Sequence, residues 1–420
     1  MKHKKKDSRL RAFLIISVAI ISGCCPAFAS TTISEIPAPI AYREPGQPLG
    51  EPVTRIIGKK GGTVVAEDGQ LTVEIPAGAL DHDVEVGIQL ISNTNPAVFG
   101  SSYRITPHGS SFLKPVILSF RYQDEFEDKV DPSSLFVSTH RKGKWLAMGG
   151  RQIDTTSKRI NFSVTHFSDW CMISSMKITP RLSYLGSGES TQLAVVHMGI
   201  DPAKLDKGDT LPVLEPRKML NEQIKSWDLN GPGDLMILGN HADYTAPPSI
   251  NETEEAEVVA TVHYLGGTYL LYAWIELLHP GVYLEVNDKY IEFPNVTQWY
   301  NGYISDQTSN GSISIKIHGE TVKKTGQWIW KNQGEMPTVF SYSTPVDESG
   351  HYYTYTSYYY DDPNANPVDS KGRIYISSFG EKDGYVCGRF VVYNAGKFTT
   401  RDNIVTRKAT IRGYFRIQRW

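Results

Sequence analysis

Three places in the sequence combine residue types and spacing that would support chemistry. The first is His166-Phe167-Ser168. Along an extended strand residues i and i+2 share a face while i+1 points the other way, so an imidazole and a hydroxyl would lie side by side with Phe167 turned into the core. A histidine so placed can carry a serine proton. The second is Asp362-Pro-Asn364-Ala-Asn366, preceded by Asp361 and followed by Asp369, which has the alternating oxygens that open a calcium loop. Pro367 and Arg373 occupy the positions where an EF-hand needs Gly and Glu, which excludes that motif. A calcium site of another kind or a polar Asx turn between strands remains. The third is a tyrosine run, Tyr352, Tyr353, Tyr355, Tyr358, Tyr359 and Tyr360, interleaved with Thr354 and Thr356. A tyrosine offers a flat apolar face and a polar tip to a sugar or a protein. The same alternation is also what a sheet covered by aromatic side chains requires, and Trp328-Ile-Trp330 reads as a same-face packing pair.

Ordinary catalytic signatures are missing: the sequence holds no G-x-S-x-G, no H-E-x-x-H, no phosphate loop and no dinucleotide fingerprint. The histidines show no spacing suited to a metal. Of four cysteines, Cys24 and Cys25 sit in the N-terminal segment, and Cys171 and Cys387 read as small buried hydrophobes. No cofactor is expected other than the calcium considered above.

What positions these groups is a chain of 420 residues, 40% hydrophobic and 21% charged, long enough for two to four domains. Its start is an address. Lys2, Lys4, Lys5, Lys6, Arg9 and Arg11 against Asp7 precede an apolar run from Ala12 to Gly23, the layout of a secretory signal and too short for a comfortable membrane span. Ala27-Phe28-Ala29 marks a cut before Ser30, and Ile21-Ser22-Gly23-Cys24 resembles a lipobox that would acylate Cys24. Removing residues 1–29 takes away those six cations and one anion and moves the net charge from −2 to −7. An acidic mature chain without a basic cluster gives no electrostatic basis for nucleic-acid binding.

Residues 30–54 carry Pro37, Pro39, Pro45, Pro48 and Pro52 and read as a stiff extended spacer. Beyond it, alternating runs such as Leu71-Thr-Val-Glu-Ile75 are punctuated by Gly61-Gly62, Asp68-Gly69 and Asn95-Pro96. No long stretch keeps a helical period, and Pro202 to Trp227 is the one plausible helical insertion or long loop. The expected class is all-β, with tandem β-sandwich domains over 55–176, 177–279 and 280–420. Of 23 tyrosines, 18 lie at or beyond Tyr264, which marks the last domain as different in composition.

Gly61-Gly-Thr-Val-Val-Ala-Glu-Asp-Gly-Gln-Leu-Thr-Val-Glu-Ile-Pro-Ala-Gly-Ala-Leu80, Tyr103-Arg-Ile-Thr-Pro-His-Gly109 and Val164-Thr-His-Phe-Ser-Asp-Trp170 together resemble the ZU-five domain, a β-sandwich of ankyrins, netrin receptors and bacterial envelope proteins. Ile178-Thr-Pro180, Leu185-Gly-Ser-Gly-Glu-Ser-Thr-Gln-Leu193 and Asp243-Tyr-Thr-Ala-Pro247 are similar to bacterial immunoglobulin-like modules. The last domain, with Gly413-Tyr-Phe415, resembles only loosely the terminal modules of Gram-negative surface proteins.

These resemblances imply an exported envelope protein that works as a structural or adhesive interaction module, in the periplasm, at the outer-membrane surface or outside the cell. Its partner would be an extracytoplasmic protein or a glycan, and membrane contact would come only through a lipid on Cys24. Some ZU-five domains cut themselves between the Phe and Ser of this tripeptide. By that likeness Ser168 would attack the Phe167 carbonyl with His166 moving the proton. Carbohydrate binding through 280–420 is a further expectation.

Overall fold

The computed structural model describes residues 38–420, apart from 124–128, 252, 288, 295, 297–298, 300–301, 318–324, 334–336, 363–364, 400–406 and 420. The described chain is all-β: alternation such as that of Leu71–Ile75 and Arg159–His166 places every second side chain in a core, and the only helices are three single 3-10 turns. None of these is long and apolar enough to cross a membrane.

The first sandwich stacks two antiparallel sheets. One runs, in spatial order, through Pro48–Ile57, Val84–Ile91, Val98–Thr106, Asp169–Ser174, Leu135–Arg141 and Lys144–Met148. The other runs through Gly62–Val65, Leu71–Ile75, Ser111–Arg121, Arg159–His166 and Gln152–Asp154. Leu71, Val73, Tyr103, Leu118, Phe167 and Trp170 fill the space between them. A second sandwich occupies 176–277, with Leu193, Tyr244, Val258 and Ile275 in its core. The third unit is one ten-stranded sheet folded over a single core, since Val282 and Phe293 from one end of the sheet share that core with Ile304 and Ile315 from the other.

Its longest strand, Tyr385–Thr399, changes register between Val392 and Ala395, where Asn394 has a positive φ of 56°. The bulge lets one strand pair with Lys371–Phe379 before it and Tyr353–Thr356 after it. Two reciprocal pairs close this region: Gly388 lies opposite Phe415, and Phe390 opposite Gly413. A Cβ on Gly413 would come within 2.3 Å of the Phe390 ring, and one on Gly388 within 2.5 Å of the Phe415 ring. Each glycine is the seat of the facing ring.

The segment read as helix or long loop, Pro202 to Trp227, is neither. Asp201 caps a single 3-10 turn at Pro202–Lys204, and Gly208, Pro212 and Pro216 deny the chain a helix. Thr210–Pro212 instead adds a strand to the first sandwich beside Lys144–Met148. Met198, Ile200, Leu205 and Val213 pack there against Phe136, Trp145 and Ile173. The stretch is a strap that welds the first two sandwiches.

The described part of the proline-rich segment is likewise no free spacer. Ala41 is fully buried, Ile40 bridges to Leu214, Arg43 pairs with Glu215 at 2.8 Å, and Pro48–Ile57 is an edge strand. Residues 30–37 lie outside the described residues.

The third unit meets both sandwiches. Arg416 pairs with Glu189, and Tyr184, Leu278, Tyr283 and Cys387 form a small shared cluster. Against the first sandwich, Arg373 pairs with Asp68 with both side chains only 4% exposed. Its guanidinium also donates to Ser101 Oγ at 2.9 Å and Gln327 Oε1 at 3.1 Å, while Tyr103 Oη donates to Asp68 at 2.7 Å. Beside this pair Ile329 packs on the first core, over Gly50.

These seams lead to two expected outcomes. Replacing Arg373 by Met leaves the Asp68 carboxylate buried without its cation and should cost about 3–5 kcal/mol, whereas Asp68→Asn together with Arg373→Met should recover most of it, read from urea midpoints. At the other seam burial pushes the Glu276 carboxyl up to about 8, with Glu255 adding to the rise and Arg389 opposing it. The unfolded chain titrates there near 4.5, so between about 4.5 and 8 the folded chain holds the extra proton and stability falls as pH rises. Glu276→Gln should flatten that slope in melts across the same range.

Candidate functional site

His166-Phe167-Ser168 is the point at which the chain leaves one sheet of the first sandwich and enters the other. His166 ends Arg159–His166, and Asp169 begins Asp169–Ser174 in the facing sheet. Phe167 spans the gap: it is 1% exposed, its ring lies 4.6 Å from that of Phe112 edge to face, and its carbonyl accepts the Gly109 N–H at 3.2 Å. The inward turn of Phe167 expected from the sequence is therefore present, but the shared face is not.

Ser168 Oγ donates to the His140 carbonyl at 3.2 Å, and the Ser168 carbonyl accepts the Ile105 N–H. The half-buried His166 ring sits 5.7 Å from the Trp170 ring and makes no hydrogen bond to Ser168. Burial, with the charges of Arg141 and His108, holds the His166 pKa below its ordinary value of 6.5, so the ring is neutral at pH 7.

Asp169 is the polar centre of this joint. Only 3% of its side chain is exposed, and Arg104 grips it through two hydrogen bonds of 2.9 and 2.8 Å, from cross-strand register. His108 Nε2 stands 3.1 Å from the same carboxylate. The hydrogen bond to Asp169 raises the Arg104 pKa. Arg104, Thr106, His108, His140, Ser168 and Asp169 line an open cleft of about 470 Å³. The arrangement gathers two imidazoles and a hydroxyl around one ion pair, with His108, not His166, nearest the buried acid. Sequence reasoning missed Arg104 and Asp169. Both lie inside quoted motifs, and only the pairing of Val98–Thr106 with Asp169–Ser174 shows that the motifs are neighbours.

The tyrosines divide by face. Tyr355 is buried and stacks on Tyr342 at 5.9 Å, and Tyr358, Tyr360 and Phe398 form a ring cluster. Lys397 lies 3.8 Å over Tyr353 and Lys408 lies 3.5 Å over Tyr359. Tyr352 is 39% exposed. Trp330 is core and donates to the Val391 carbonyl.

The acidic loop next to the tyrosines also scatters its oxygens. Asp361 takes the Lys408 ammonium at 2.9 Å, Asp369 accepts the Asn332 N–H at 2.7 Å, and the Asp362 carbonyl closes a turn with Ala365. Asn366 is exposed and Asn364 lies outside the described residues. Among the described residues no three His, Cys, Asp or Glu side chains come together as a metal site. Cys171 and Cys387 are separate buried thiols, each pushed up to about 12 by burial. Cys24 and Ala29 lie outside the described residues. No protein-family model and no curated protein matches the sequence.

If the tripeptide works as a joint between sheets, the buried acid should matter more than the hydroxyl. Asp169→Ala should lower stability by about 2–3 kcal/mol through the charged hydrogen bonds it loses, and Ser168→Ala by about 1 kcal/mol. Urea unfolding of the two variants measures both.

Proposed function

We propose that the chain is an exported cell-envelope protein that acts as a structural or adhesive interaction module, without turnover of an external substrate. The observation that carries this reading is the set of three seams, strap, Glu189–Arg416 and Asp68–Arg373, which hold three β units in fixed mutual register. A frame of that kind suits surfaces that must keep their orientation while bound to something larger. The secretory layout of residues 1–29 and the likenesses to ZU-five and bacterial immunoglobulin-like domains support the envelope setting, with Cys24 acylation as the alternative to a free mature start at Ser30. The partner is an extracytoplasmic protein or glycan.

A second reading has one observation in its favour. The Phe167 ring is clamped in the core while its carbonyl receives the Gly109 N–H, a donor placed where charge would develop if Ser168 attacked. Self-cleavage would give pieces 30–167 and 168–420.

One set of measurements on the full chain made in a Gram-negative host separates the readings. The interaction reading expects a mature start at Ser30 or an acylated Cys24 by mass spectrometry, one polypeptide on denaturing electrophoresis, saturable binding to envelope fractions, and no new reducing ends from envelope polysaccharides. Sustained release of reducing ends would overturn it. Two pieces that Ser168→Ala restores to one would establish the second reading.

A further inference from the structure

One sheet of the second sandwich runs through Met176–Thr179, Ser190–His197, His241–Thr245 and Asp234–Ile237 in spatial order, so Asp234–Ile237 has a strand on one side only. The last unit docks elsewhere, at Tyr184, in the opposite edge strand of the facing sheet. Two hydrogen bonds fix which backbone groups of the open edge look outward. The Leu238 N–H donates to the His241 carbonyl at 2.9 Å and closes the hairpin, and the Val195 N–H donates to the Asn240 carbonyl at 3.3 Å on the far side of His241–Thr245. By the alternation of an antiparallel pair, Met236 and Asp234 then exchange bonds with Asp243 and Thr245, while the N–H and C=O of Leu235 and Ile237 point off the sheet. Among the described residues nothing pairs with them.

The side chains match this backbone. Leu235 packs at the margin of the core, and Ile237, opposite the fully buried Ala242 on the same face, is 53% exposed, so the core runs out of the sandwich at this edge. Met236, on the other face, is 57% exposed. The strand contains no lysine, proline or bulge, the devices that usually keep an edge from pairing, and Asp234 at its start is its one charge. We propose that this edge pairs with the same edge of a second copy of the chain, antiparallel about a two-fold axis at Met236. Leu235 of one copy then lies against Ile237 of the other, twice over, and each pair exchanges both of its free hydrogen bonds. Met236 faces Met236, and Asp234 faces Leu238 in place of another carboxylate. An axis at Leu235 would set Ile237 against Gly233 and leave it uncovered. An axis at Ile237 would need the Gly239 carbonyl, which already accepts Trp227 Nε1–H at 3.1 Å. The proposal stands apart from the envelope reading, since it needs only this edge.

Sedimentation velocity of the full chain at rising concentration tests it. The native chain should pass reversibly from monomer to dimer. Met236→Lys or Met236→Glu alone sets like charges across the axis and should weaken association by about tenfold, and an equimolar mixture of the two variants should dimerise as tightly as the native chain. On the unaltered chain the Leu235 and Ile237 amides should exchange with deuterium more slowly as concentration rises, which decides even where a variant does not fold. A native chain that stays monomeric at millimolar concentration, exchange at these amides that ignores concentration, a dimer that both variants leave unchanged, or a mixture no tighter than its components would overturn the proposal.

Discussion

A guanidinium and a carboxylate buried together between two domains are costly to bring out of water, and their surroundings must supply every remaining hydrogen bond. Arg373 and Asp68 meet that demand with Ser101, Gln327 and Tyr103, contributed by both sides of the seam. Ser101 and Arg373 stand 272 positions apart, so the last unit must be in place before the pair exists. The pair is specific in a way that apolar contact is not: sliding one domain along the other by a single residue would leave a charge buried alone.

The other seams fit around that constraint. The strap carrying Met198, Ile200, Leu205 and Val213 brings the first two sandwiches together by apolar burial, with Lys129 of the first paired to Glu257 of the second at 2.8 Å. Glu189–Arg416 and the cluster around Tyr184 and Tyr283 close the second seam. Arg373 and Arg416 of the last unit thus face neighbouring domains, and Lys397 and Lys408 cover tyrosines that a sequence alone would offer to a ligand. On the proposed reading, a protein that holds partners at fixed spacing gains from such rigidity.

The class of fold was legible because period-two alternation is a local signal: Leu71–Ile75 and Glu254–Tyr264 declare their buried faces residue by residue. Phe167 was legible for the same reason. The pairing of His166 with Ser168 was not, because the strand rule holds only while the chain stays in one sheet, and this chain changes sheets between the two residues. Pro202 to Trp227 misled for a related reason. An Asp-Pro start signals a helix cap equally well for one 3-10 turn, and the path of the chain beyond that turn is decided by a distant edge strand, Lys144–Met148. Asp68 read as a turn residue beside Gly69, and nothing near it in sequence announces Arg373.

Scanning calorimetry of the full chain tests the central claim, that the Asp68–Arg373 pair makes the last unit part of one cooperative frame. The account predicts a single transition for the native chain and, in Arg373→Met, a separate earlier transition from residues 280–420. Two transitions in the native chain at the temperatures seen in the variant would contradict it.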